Sequence, residues 1–177
     1  MSDLFAKLNY KGQDPVAIFP VPDTVAAHVA GLAAQVDPDW RAGQTYAFVL
    51  LFVHQAAYIA TFAAQLPDRL ADDAVLWFAY PKKSSRRYQS DIHRDQGWQP
   101  LGDLGFEPVR QIAIDADWSA LRFRQAQHIR QLTRADKRRI SKRGEGGGFL
   151  RFWGLRFWGF GVLDWGLKRM GVLALVD

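Results

Sequence analysis

From Val75 to Asp95 the chain reads V-L-W-F-A-Y-P-K-K-S-S-R-R-Y-Q-S-D-I-H-R-D. Ala74 to Tyr80 carries no charge and no polar/apolar alternation, the pattern of a strand buried on both faces beneath covering helices. The run ends in Pro81 and opens into lysines, serines and arginines. In open α/β sheets ligands sit outside the ends of strands, so the segment is both a fold signal and a candidate surface.

Upstream, Val16 to Val21 is a short apolar run broken by Pro20, and Tyr46 to Val53 is a second continuous one. Between them, Asp23 and Thr24 offer N-cap oxygens to a segment rich in alanine and valine up to Val36, which Asp37, Pro38 and Asp39 then break. His54 to Leu66 reads as the next helix, stopped by Pro67 and Asp68. Strand, helix, strand, helix, strand implies a parallel sheet with helical crossovers. Downstream, Gln96 to Leu104 is a short helix ended by Gly105. Val109 to Ile114 and Trp118 to Arg124 alternate around Asp115-Ala116-Asp117, a hairpin pattern. The expectation is a three-layer, Rossmann-like α/β domain over residues 1–124, with five strands, mostly parallel, ending in an antiparallel hairpin.

The chain has 177 residues, of which 49% are hydrophobic and 14% aromatic, enough for one domain with its own core. It has no cysteine, which excludes a disulfide framework, a thiolate metal site and a cysteine nucleophile, and fits a cytoplasmic protein. Met1 to Tyr10 has no long apolar core, so a signal peptide is not expected. His28, His54, His93 and His128 show no i, i+4 pair, so zinc is not expected either. The net charge of +5 is unevenly spread: residues 1–79 come to roughly −4, residues 80–143 to roughly +8 and the remainder to roughly +1.

Gln125 to Arg143 is polar and basic, with Ile129 and Leu132 at helical spacing, and reads as a surface helix or linker. Gly144 to Gly148 marks a break, after which Leu150-Arg151-Phe152-Trp153-Gly154 is repeated at once as Leu155-Arg156-Phe157-Trp158-Gly159. A period of five suits neither helix nor strand, and Arg151, Arg156, Asp164, Lys168 and Arg169 interrupt any membrane span. The tail, residues 144–177, is expected to lack a stable fold, an interfacial membrane anchor being the other reading.

Tyr80-Pro81-Lys82, Ser90-Asp91-Ile92, Gly105-Phe106 and Asp117-Trp118-Ser119-Ala120-Leu121-Arg122, in that order, resemble a family of small bacterial proteins known as a domain of unknown function (DUF3052-like). The resemblance runs from about Pro15 to Arg124 and implies no activity. More distantly, the layout is similar to a trimmed S-adenosylmethionine-dependent methyltransferase fold, which implies the spatial strand order 1-2-3-5-4. Such a fold has a glycine-rich turn after its first strand; this chain has Phe19-Pro20-Val21-Pro22-Asp23 there. Val36 to Tyr46 is also too short for a full strand-helix-strand excursion carrying an acidic ribose ligand. The resemblance therefore implies a degenerate fold that has lost its cofactor.

The anion-binding candidates are Lys82, Lys83, Ser84, Ser85, Arg86 and Arg87, because cations beside hydroxyls make charge-assisted hydrogen bonds, with Asp91 and His93 farther along the loop. They lack the spacing of a nucleotide-binding P-loop. Asp91, His93 and Asp95 share a face only if the segment is extended, and Ser90-Asp91 reads better as a helix cap than as a metal ligand. No nucleophile-elbow glycines surround Ser84 or Ser85. Trp118, Arg122 and Arg124 fall on one face of the last strand and form a basic surface suited to weak nucleic-acid contact, or to an ordinary solvated face. Trp77 and Phe78 are core residues. The function expected is a non-catalytic binding or interaction module with an anion-accepting basic loop after the third strand, taking a small anionic ligand or a protein partner. No cofactor and no metal are expected. The alternatives are a residual methyltransferase-like enzyme, or weak nucleic-acid or membrane association through the basic segment and tail.

Overall fold

The structure is a computed structural model that describes residues 3–32, 36–129 and 140–141. The elements are α1 (Asp3–Lys7), β1 (Val16–Phe19), α2 (Asp23–Ala30), β2 (Val36–Asp37), β3 (Tyr46–Phe52), α3 (Ala56–Ala63), β4 (Leu70–Pro81), α4 (Gln99–Asp103), β5 (Phe106–Ala113) and β6 (Trp118–Gln125). Single 3-10 turns follow α3 and β6. The strands form one mixed sheet in the order β2-β1-β3-β4-β6-β5. β2, β1, β3 and β4 are mutually parallel, and β6 runs antiparallel to both β4 and β5.

There are thus six strands where five were expected, and the order differs from the expected one by β2 at the edge beyond β1. The helix expected to reach Val36 stops at Ala30, before Gly31, a poor helix former. Val36 and Asp37 instead pair with Val16 and Ala17. Two residues are too few for a period-two pattern, which is why β2 is invisible in the sequence. β5 begins at Phe106 rather than Val109, and the ladder slips between Pro108 and Arg110. A proline is tolerated there because β5 is an edge strand.

The sheet is covered on both faces. Beneath one face, α1 with the following Leu8, and α2, contribute Leu4, Phe5, Leu8, Val25 and Val29, against Ile18, Phe48, Leu50 and Trp77. On the other, α3 and α4 contribute Ile59, Ala63 and Leu101, against Val49, Leu51, Phe78 and Phe123. From β1 the chain crosses to β2 in one direction, and from β3 to β4 in the other. Right-handed crossovers taken in opposite directions put α2 and α3 on opposite faces, which makes the three layers. Trp77 and Phe78 are both fully buried, one on each face. The Trp77 indole donates to the Leu8 carbonyl at 2.8 Å, which fixes α1, too short for any periodic signal, to the middle of the sheet.

Beyond β6 the expected basic helix begins as one 3-10 turn, Ala126–His128, and Ile129 is already extended. Residues 130–139 and the tail from 142 onward lie outside the described residues. Ile140 and Ser141 lie across α4 and β5. The buried Glu107 carboxylate accepts from the Ser141 N–H at 2.9 Å and its hydroxyl at 2.5 Å. Gln99 donates to the Ile140 carbonyl at 3.3 Å. A Cβ at Gly102 would stand 2.2 Å from that carbonyl oxygen, so only glycine lets the segment lie so close. Ile140 and Ser141 are thus packed against the sheet well beyond the end of β6. No helix among the described residues is long and apolar enough to cross a membrane.

Candidate functional site

β1 and β3 are neighbours in the sheet, yet the chain leaves β1 toward α2 on one face and β3 toward α3 on the other. The two exits diverge and leave a crevice at the carboxyl ends of these strands, the switch point at which open α/β sheets bind ligands. A pocket of about 420 Å³ lies there, lined by Pro20, Val21, Pro22 and Asp23 after β1, and by Phe52 and His54 at the end of β3. Arg87, Tyr88 and Gln89 from the loop after β4, and Trp118 at the start of β6, complete it. Its size falls within the range of roughly 300–1,000 Å³ usual for small-molecule sites.

The inner wall is aromatic. Trp118 is held between Phe52, with centroids 5.2 Å apart and edge-on, and Tyr88, at 5.0 Å. It is 3% exposed, and its indole N–H has no hydrogen-bond partner. An unpartnered donor at such depth is uncommon, because leaving it unmade costs more than an average hydrogen bond returns. The polar edge consists of Asp23 in the first turn of α2, His54, whose ring leans on Tyr58 at 5.2 Å, and Arg87. The Arg87 guanidinium lies 5.9 Å from the Tyr88 ring centre. Neither Asp23 nor Thr24 caps α2 as expected: Pro22 takes the cap position, with no side-chain cap bond.

The basic loop divides into residues that fasten it and residues that face outward. Lys82 donates from Nζ to the Asp115 carbonyl at 2.5 Å and from its N–H to the Asp117 carbonyl at 2.7 Å. Ser85 donates to the Asp117 carboxylate at 2.8 Å and accepts from the N–H groups of Arg87 and Tyr88, both at 3.2 Å. These bonds tie the loop to the β5–β6 turn. Lys83, Ser84 and Arg86 are exposed, and of the six basic-loop candidates only Arg87 lines the pocket.

Asp91 does act as a cap, but for α3: its carboxylate accepts from the Ala56 N–H at 2.8 Å, 35 residues back along the chain. His93 exchanges backbone bonds with Gln96, and its carbonyl accepts from the Trp98 indole at 2.9 Å. Asp91, His93 and Asp95 do not converge, and no group of three metal-ligating side chains occurs among the described residues.

The expected basic face of β6 is not an open platform. Trp118 is buried in the pocket wall, and Arg122 is half-buried, its pKa pulled down chiefly by desolvation. Arg124 forms a two-pronged ion pair with Asp73, at 2.7 Å through Nε and more closely through Nη2. That hydrogen bonding holds the Asp73 carboxyl below its ordinary range and raises Arg124.

The strand β2, judged absent from the sequence, does end in an acid beside β1. Asp37 is buried, and its carboxylate is already occupied, accepting from the Tyr46 hydroxyl at 3.0 Å and pairing with Arg41. Burial, with Asp37 alongside, pushes the Tyr46 phenol up. Sequence reasoning missed Pro20 to Asp23 and His54 as site residues because it sought a glycine turn. The usable signal was positional, since each lies at the end of a predicted strand.

No protein-family model matches the chain, and no curated protein matches it in sequence, so the resemblance to a domain of unknown function has no family match behind it. Among solved structures, the chain is similar to one described as a protein in the NADB-Rossmann superfamily from Streptococcus agalactiae. The TM-score is 0.39 at 11% identity, over 71% of this chain and 68% of that one.

Proposed function

We propose that the domain is a non-catalytic binding module, cytoplasmic in setting, whose switch-point pocket takes a small anionic ligand. The basic loop after β4 supplies the anion's partner through Arg87. The observation that carries this reading is the meeting, in one pocket, of Arg87 with the aromatic residues Phe52, Tyr88 and Trp118.

Phenylacetate, phenyl phosphate and benzyl alcohol share a ring and differ in charge, so their titration into the full chain tests the reading. At least one anion should bind about tenfold more tightly than the alcohol, and Arg87→Ala should erase that advantage. Equal binding of all three, or an advantage that survives in Arg87→Ala, would sink it.

A residual methyltransferase-like enzyme is the second reading, and it draws on β2 ending in an acid next to β1. Against it, Asp37 is already paired with Tyr46 and Arg41, so a ribose would have to displace both. Calorimetric titration with S-adenosylmethionine separates the two: heat of binding that is lost in Asp37→Asn would favour the enzyme.

A further inference from the structure

Resting on the binding reading above, we infer that the pocket is built for an aromatic monocarboxylate and selects against a phosphate. A helix N-terminus at the end of the first strand is where a phosphate would ordinarily be seated, by free N–H groups and the positive end of the helix dipole. Here that position is already negatively charged: Asp23 is the first residue of α2 and lines the pocket. A phosphate dianion brought there meets a carboxylate, and like charges at such range raise each other's cost. The attractive group, Arg87, comes from a different element, the loop after β4.

Arg87 brings a planar fork of donors and a single positive charge, which a carboxylate matches in geometry and in charge. Trp118 lines the pocket as a neutral aromatic residue, which adds ring contact without inviting a second negative charge. Beside the polar His54 and Gln89, the other walls, Pro20, Val21, Pro22, Phe52 and Tyr88, are mostly apolar and suit an aromatic ring better than a polar sugar. Ser85 supports the arrangement from behind, since its hydroxyl holds the backbone N–H groups of both Arg87 and Tyr88.

The same three probes decide this when read at the indole. The chain has seven tryptophans, and Trp118→Phe assigns the Trp118 N–H resonance in a nitrogen–proton spectrum. Phenylacetate should shift that resonance and bind about tenfold more tightly than phenyl phosphate. Asp23→Asn, an exposed change, should narrow the gap by improving phenyl phosphate. Phenyl phosphate binding as well as or better than phenylacetate would overturn the ligand class and leave anion binding standing. An unmoved indole resonance under saturating phenylacetate would overturn the role of Trp118. If the alcohol matches both anions, the binding reading itself falls.

Discussion

The rim formed by residues 82–93 and the pocket beneath it use polar groups in opposite ways. On the rim, hydrogen bonds are closed within the protein: Lys82 and Ser85 hold the β5–β6 turn, and Asp91 caps α3. Glu107 does the same for Ile140 and Ser141. In the pocket, the exposed Arg87 lies beside the aromatic side chains of Tyr88 and Trp118. A dense run of cations and hydroxyls therefore need not mark where a ligand binds, since such groups are equally good at fastening loops. A cation beside aromatic walls in a cavity is the more discriminating sign.

The sharpest way to test the fastening half is at Glu107. Glu107→Ala leaves the N–H groups of Ile140 and Ser141 without their acceptor and should cost about 2–3 kcal/mol in urea unfolding, with Glu107→Gln costing less. A loss below about 0.5 kcal/mol would show that the strap at 140–141 contributes little to the fold. Ser85 joins the two regions, so Ser85→Ala should cost about 1 kcal/mol of stability and also weaken phenylacetate binding several-fold. Lys83→Ala and Arg86→Ala should change neither quantity. If they weaken binding as much as Arg87→Ala does, the division between fastened rim and open pocket is wrong.

Asp91→Ala should destabilise by about 1 kcal/mol through loss of the α3 cap, with anion affinity unchanged. The smallest effect lies at the Asp73–Arg124 pair. Arg124 holds the folded Asp73 below its ordinary value of 3.8, so the stabilisation is present above that value and is lost as the pH falls through the lower folded one. Because the pair is about one-third exposed, water screens it and the contribution is modest. Arg124→Gln should flatten the decline in stability below about pH 5, and an unchanged acid limb would show that the pair does not contribute.

The central strands were legible because burial on both faces demands unbroken apolar sequence, and β3 and residues 75–81 of β4 have it. α1 and β2 were not, being too short for any period to show. The Trp118 to Arg124 alternation was real as geometry, with Leu121 and Phe123 on one face and Trp118 and Ala120 on the other. Its meaning was not, because strand periodicity says which residues share a face and nothing about what covers it. Here both faces are packed at the start of β6, so the residue suggested for stacking on nucleic acid became a pocket wall.

By itself the sequence determined the alternation of strands and helices, the closing hairpin and the identity of the core of β3 and β4, since local apolar patterning governs each. Only the tertiary structure decided that the crossovers leaving β1 and β3 run in opposite directions across the sheet, opening the pocket there. It also decided that Lys82 and Ser85 meet Asp115 and Asp117, more than thirty residues away, while Arg87 is left to face the cavity. Whether a polar group is satisfied depends on partners brought close by folding, and no reading of its neighbours in the chain contains that information.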